Sequence, residues 1–445
     1  MTMKRKLRKL YVGLMGRGEK AKSTRKAMLA FAIRLMSAAF IYFSHVILAR
    51  WLGTREFGVY TYVWTWVVIL GSISTLGFSM VMVKHLPSYF KHGKLAEFLG
   101  LMHLGRIFSF ILAVLITVLG ILGVYLWGDF SNNVFAIPLI LGMVCIPLFA
   151  LVDVQEGMCR ANEWIYLGLI PNYLLRPFFV LIFSAGFIFL YGEIDAQVVM
   201  MGCIIGSFFT AIIQLFLIER RIAQKVKKQV KAYLWRPWIG LALPLLLTDS
   251  FMLVMANTDI VILEYFMQPE DIAVYYAAVK TTLLVQFIYF AVVLASSNQF
   301  AVHWHDEDRE KLIKAVNHSV KMTFMPSLVA SAGIIAIGYW FLAAYGPDFT
   351  RGYPVIVILS MGAILRAATG PTEWMMTMMG QQKIVLWSTG GASLVNIVLN
   401  ILLIPIWGLE GAATSTAVTM AGSAIYLFFM VRRELKIPIK FAGLV

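Results

Sequence analysis

Apolar residues in this chain run in long blocks rather than alternating with polar ones. Twelve blocks reach the ~20 residues that a helix needs to cross a hydrocarbon layer while satisfying its own backbone N–H and C=O groups. They are 28–49, 62–83, 99–127, 134–155, 164–190, 197–218, 238–263, 272–301, 322–345, 353–378, 384–406 and 411–431. Little of the 445-residue chain is left for anything outside a bilayer. The pattern predicts an all-α polytopic membrane protein with twelve transmembrane helices.

Composition agrees, and charge adds an orientation. The chain is 60% hydrophobic and 14% charged, against about 45–50% and about 25% in soluble domains, which excludes a water-soluble enzyme built on one apolar core. A net charge of +15 could signal a nucleic-acid partner, but its distribution gives it another meaning. With the N-terminus in the cytoplasm, the tails and loops on that side hold 30 of the 38 Lys and Arg, the opposite loops hold only Arg50, Arg55 and Arg351, and 5 lie within spans. Basic residues accumulate on the cytoplasmic side of membrane proteins. Both termini are therefore expected in the cytoplasm, and no nucleic-acid partner is expected.

Residues 1–26 are basic and lack the apolar core and small-residue cleavage site of a removable signal peptide. Met3, Leu7, Leu10, Tyr11 and Leu14 fall at helical spacing among Lys and Arg, which suits either a helix lying on an anionic leaflet or a solvated basic tail. Cys145, Cys159 and Cys203 have no metal-ligand spacing and read as packing residues.

The longest connection after a sixth span, 219–237, carries Ile222, Val226, Val230 and Tyr233 at amphipathic spacing among basic residues. It divides the chain into a basic segment 1–26, a six-helix bundle 27–218, the basic linker 219–237, a second six-helix bundle 238–431 and a tail 432–445. An internal repeat supports the division. ILARWLGTREFGVY at 47–60 aligns without gaps to ILEYFMQPEDIAVY at 262–275, so that Ile47, Leu48, Val59 and Tyr60 recur as Ile262, Leu263, Val274 and Tyr275. Both copies fall in the first outward loop of their half. Repeated halves with a site between them near mid-membrane are a common transporter construction.

Three segments carry a resemblance. ARWLGTREFGVYTY (Ala49 to Tyr62) resembles the first-loop signature of polysaccharide-transport flippases, the Wzx-type exporters of O-antigen and other lipid-linked oligosaccharides. NIVLNILLIPIWGLEGAATSTA (Asn396 to Ala417) resembles that family's eleventh-to-twelfth span pattern, and Asn257-Thr-Asp-Ile with Val274 to Lys280 its seventh and eighth spans. The wider group is the multidrug/oligosaccharidyl-lipid/polysaccharide exporter superfamily. The resemblance implies two six-helix bundles arranged as a V around a central cavity, working by alternating access.

Charges inside spans narrow the chemistry, because each costs about 2.5–3.5 kcal/mol at mid-span and so needs a reason. The cations are Arg34, Arg106, Arg176, Lys280 and Arg366; the acids are Asp153, Glu156, Asp249, Asp259 and Glu373. Some must pair, but together they point to a hydrated cationic cavity suited to an anionic lipid-diphosphate head. The candidate substrate contacts are Arg34 and Lys280 first, then Arg176, Arg366, Asn400 and Tyr276. Tyr42, Trp64, Trp66, Tyr173, Tyr275 and Tyr289 are further aromatic candidates for sugars. The resembling families place cavity cations in the first helix pair of each half, where Arg34 and Lys280 lie. Asn396 and Asn400 share a helix face and are read mainly as interhelical hydrogen-bonding groups, with Gly411, Ala412 and Ala413 allowing close helix approach. Overlaying Asn172 on Asn396 puts Arg176 at the place of Asn400, which predicts two polar positions facing each other across the pseudo-twofold axis.

No G-x-x-x-x-G-K-[ST] cradle and no catalytic metal motif occurs, so secondary transport is expected, without a cofactor. The expected activity is translocation of polyprenyl-diphosphate-linked oligosaccharide to the outer leaflet of a prokaryotic cytoplasmic membrane. H⁺ or Na⁺ would drive the return through Asp249, Asp259 or Glu373. Membrane lipids and the polysaccharide assembly machinery are the expected partners. A multidrug cation antiporter and a peptidoglycan-precursor flippase are the alternatives.

Overall fold

The computed structural model describes residues 19–127, 133–226, 229–305 and 308–443. Among these the chain is helical, without strands. We number its helices α1 Glu19–Ser74, α2 Phe78–Lys91, α3 Leu95–Trp127, α4 Ala136–Ala161, α5 Ile165–Ile170, α6 Arg176–Tyr191, α7 Ala196–Lys225, α8 Trp235–Phe266, α9 Pro269–His305, α10 Arg309–Tyr345, α11 Tyr353–Thr369, α12 Thr372–Met378 and α13 Gln382–Glu434. A π-helical turn, Pro171–Leu175, joins α5 to α6. The amphipathic pattern at residues 3–14 lies outside the described residues.

Nine helical segments among the described residues are long and apolar enough to cross a membrane. Two of them, in α1 and α13, have twice the length one crossing needs, and each is broken at a single glycine with left-handed φ: Gly53 (72°) and Gly408 (58°). Each therefore holds two of the expected spans, and α9 holds the eighth. The expected outward loop at 50–61 is thus a one-residue break between helices. The second span differs too. It ends at residue 74 in a turn where Leu76 and Gly77 both take positive φ, and 78–83 begin a new helix, α2. Hydropathy runs on through this turn because Leu76 and Phe78 are themselves apolar. A Cβ at Gly77 would lie 2.6 Å from the Ala242 carbonyl oxygen, so the turn needs glycine twice over.

The linker is a further correction. Its first part, up to Lys225, simply prolongs α7, with Ile222 and Val226 buried, whereas Val230 is exposed on non-helical chain that returns to α3. There Ala232 N donates to Ala96 O at 3.0 Å. Seven cations at 220–236 disfavour continuing one helix beyond the lipid.

The two bundles share one apolar core at the end carrying the Gly53 break and the 267–268 connection. Leu48, Phe57, Tyr60, Tyr275, Tyr276, Tyr345 and Phe349 belong to that single cluster. At the other end the cores separate, one around Phe78, Leu101, Met158 and Trp238, the other around Phe300, Val320, Met375 and Phe428. This is the V expected of the fold class. At its closed end Tyr42 donates to Phe341 O at 2.9 Å, and Arg50 donates to the carbonyls of Ala343 and Ala344, both at 2.8 Å. The two repeat copies meet here as well: a Cβ on Gly58 would stand 1.8 Å from the carbonyl oxygen of Pro269, the counterpart of Thr54.

The C-terminal tail folds back as a strap on α10. Arg309 Nη2 donates to Lys436 O at 2.7 Å, Asn317 Nδ2 donates to Pro438 O at 3.2 Å, and Lys440 N donates to Asn317 Oδ1 at 2.8 Å. The strap's own Leu435, Ile437 and Ile439 are buried against α10.

Candidate functional site

A cavity of about 440 Å³ lies between the bundles. Its walls are helix faces, so residues three and four apart enter together. From α1 come Arg34, Ser37, Ile41, Ser44, His45 and Leu48, and past the Gly53 break Tyr60 and Trp64. Tyr276, Lys280, Leu283 and Gln286 come from α9, and Tyr173 and Arg176 from the π turn and the start of α6. Arg34, Arg176 and Lys280, which are 104 or more residues apart in pairs, thus line one space.

Two of these cations rest on aromatic faces. Lys280 Nζ is 4.7 Å from the Tyr276 ring centroid, and the Arg176 guanidinium carbon is 4.9 Å from the Trp64 ring and 5.2 Å from the Phe149 ring. The ring quadrupoles offset part of the desolvation of the charge without consuming N–H donors. Arg176 Nη1 has no partner among the described residues, and neither do the buried Ser37 Oγ and His45 Nδ1. The described lining contains no Asp or Glu. Buried donors without acceptors and cations without counter-ions suit an anion with many oxygens.

The other predicted residues are elsewhere. Arg366 lies in an adjoining recess with Tyr289 and Gln286, its guanidinium 4.5 Å from the Tyr289 ring and its Nη2 3.4 Å from Glu373. Asn400 is fully buried and donates to Asn396 Oδ1 at 3.0 Å, while Asn396 donates to Thr419 at 3.2 Å. The shared amide face is covered by the twelfth span, so of the two positions expected to face each other only Arg176 reaches the cavity. Asp259 is buried, accepting from the Tyr275 hydroxyl, from Thr416 at 3.4 Å and from Ile260 N at 2.9 Å. Asp249 joins Asp153 and Arg160 in a second pocket of about 210 Å³ beside the 75–77 turn. Ser37, Ser44, His45 and Gln286 were not among the predicted contacts, although successive helical steps of three and four residues from Arg34, and of three from Lys280, lead to them.

The family described as polysaccharide biosynthesis protein matches residues 23–297, more than half of the chain. The chain belongs to this family. A Haloferax volcanii relative, the probable low-salt glycan biosynthesis flippase Agl15, is 21% identical over 411 residues, covering 90% of this chain and 82% of its own. An inward-facing multidrug resistance MATE family transporter of the MOP superfamily has the same fold, with a TM-score of 0.74 at 14% identity over 92% of this chain and 98% of that one. The lipid II flippase MurJ in its inward closed conformation gives 0.66 at 16% identity, over 91% and 87%. This polysaccharide biosynthesis protein is therefore built as the superfamily's exporters are, and its cavity lies between the two bundles of that fold.

Proposed function

We propose that the protein is a flippase for a polyprenyl-diphosphate-linked oligosaccharide, carrying it to the outer leaflet of a prokaryotic cytoplasmic membrane by alternating access. One observation carries the reading: three cations from three separate helical segments line a single cavity whose described lining has no carboxylate. Arg34, Arg176 and Lys280 would engage the diphosphate, and Tyr276, Trp64 and Tyr173 the first sugars. At about 440 Å³ the cavity accommodates a head group of drug-like size, so the polyprenyl tail would remain in lipid at a gap between helices. An organic-cation antiporter would need acids in this lining. The acids outside it suit a coupling role: protonation of Glu373 would release Arg366, and Asp259 is linked through Tyr275 to the helix that bears Lys280. The 30-to-3 distribution of loop cations supports cytoplasmic termini.

Mass spectrometry of lipid that co-purifies with the protein tests the substrate class, with a polyprenyl-diphosphate glycan expected. Arg34→Ala with Lys280→Ala should abolish glycan export while leaving membrane insertion unchanged. Intact export in that variant would overturn the cationic-site reading.

A further inference from the structure

A second polar site, apart from the cavity, lies where α4, α5 and α7 meet. Its centre is Glu156, 5% exposed, which accepts from Asn172 Nδ2 at 2.8 Å. Arg160 Nε stands 4.0 Å away, and the same guanidinium donates to Ser79 at 2.9 Å. One amide and one distant guanidinium leave most of the lone-pair positions of a carboxylate open.

Three amides around it are arranged alike. Gln155 Nε2 points at Ala211 O at 3.5 Å, Gln214 Nε2 donates to Leu167 O at 2.8 Å, and Asn172 Nδ2 serves Glu156. Each NH₂ faces an acceptor, which assigns the flip of each amide. The carbonyl oxygens of all three, with the Thr210 hydroxyl one turn before Gln214, have no partner among the described residues. Gln155, Gln214 and Thr210 are fully buried, and Asn172 is 8% exposed. The main chain explains the arrangement. Pro171 has no N–H to give Leu167 O, four residues earlier, so that carbonyl is free for Gln214. Asn172 follows in the π-helical turn, a distortion found often at functional sites. Gly168, next to Leu167, would place a Cβ 3.9 Å from Glu156 Cγ, which ties the Gln214 contact to the carboxylate.

A buried set of one carboxylate and four neutral oxygens, with its amide donors already used, is the ligand chemistry of a hard cation. Arg160 is shared with Asp153 and Asp249 of the neighbouring pocket, so it does not neutralise Glu156 alone, and a monovalent ion adds the least charge to this low-dielectric site. We propose that Glu156, Asn172, Gln155, Gln214 and Thr210 form an Na⁺ site in the N-terminal bundle. It does not depend on which lipid the cavity carries.

Thermal unfolding of the purified full-length protein, with NaCl exchanged for N-methylglucamine chloride at constant ionic strength, tests the site. A saturable rise in midpoint with Na⁺ is expected. Glu156→Gln and Gln214→Leu should each raise the half-saturating concentration roughly tenfold or more, while Asn317→Ala, in the C-terminal strap, leaves it unchanged. If Glu156→Gln does not fold, Gln214→Leu carries the test. No Na⁺ response, or one that survives both substitutions, overturns the site. Glycan export plays no part in this readout, so failure of the cavity reading would leave it standing.

Discussion

The Arg176 guanidinium enters the cavity with two aromatic rings beside it and Nη1 unpartnered. Its planar fork can grip two phosphate oxygens at once, which a lysine cannot. Arg176→Lys should therefore weaken apparent substrate affinity about tenfold, or ~1.4 kcal/mol, with little change in protein level; reconstituted flipping at varied lipid concentration measures it. Packing at Gly58 is equally exacting, because any side chain meets the Pro269 carbonyl. Gly58→Val should cost about 1–3 kcal/mol, read as a lower unfolding midpoint. At this scale the mid-span cations were legible because charge in a membrane is conspicuous on energetic grounds. Ser37 and His45 carry no such cost when neutral, and only their helical spacing from Arg34 distinguishes them. Asn400 and Arg366 show the limit of such marks: spacing and charge single out polar positions in a span, but not which neighbour each one meets.

Among the elements, apolar length revealed the helices and two of their joints. The breaks at Gly53 and Gly408 fall in the gaps between the apolar blocks 28–49 and 62–83 and between 384–406 and 411–431, whereas the turn at Gly77 lies inside a block with Leu76 and Phe78 beside it, so a hydropathy window passes over it and the conformational freedom of glycine is its local mark. The linker misled in the opposite way, since its amphipathic spacing runs on to Val230 and Tyr233 although the chain at 229–233 is not helical. The tail, expected only as a cytoplasmic end, became a strap because Leu435, Ile437 and Ile439 find an apolar bed on α10. Asn317 holds it with two hydrogen bonds to the main chain, each worth about 1 kcal/mol net. Asn317→Ala should expose residues 435–443 to limited proteolysis while leaving the bundles intact, and mass mapping of the first cleavage products checks this.

For the whole molecule, the repeat at 47–60 and 262–275 was legible as duplication, and the structure adds that the two copies pack against each other. That contact, with Tyr42 on Phe341 O and Arg50 on Ala343 and Ala344, closes one end of the V. A reducible thiol cross-linker joining Arg50→Cys to Ala344→Cys should block export, and reduction should restore it; unimpeded export in the cross-linked protein would mean that this end need not open. The cavity's uncompensated cations also have an electrical consequence. A charge carried through the full membrane field is worth about 2.3 kcal/mol per 100 mV, and an interior-negative potential draws positive charge inward. An empty carrier would be biased by voltage toward the cytoplasm, whereas a bound diphosphate cancels much of the charge and frees the loaded carrier from that bias. The resting potential of the cell would then act on the return step far more than on the delivery of the glycan.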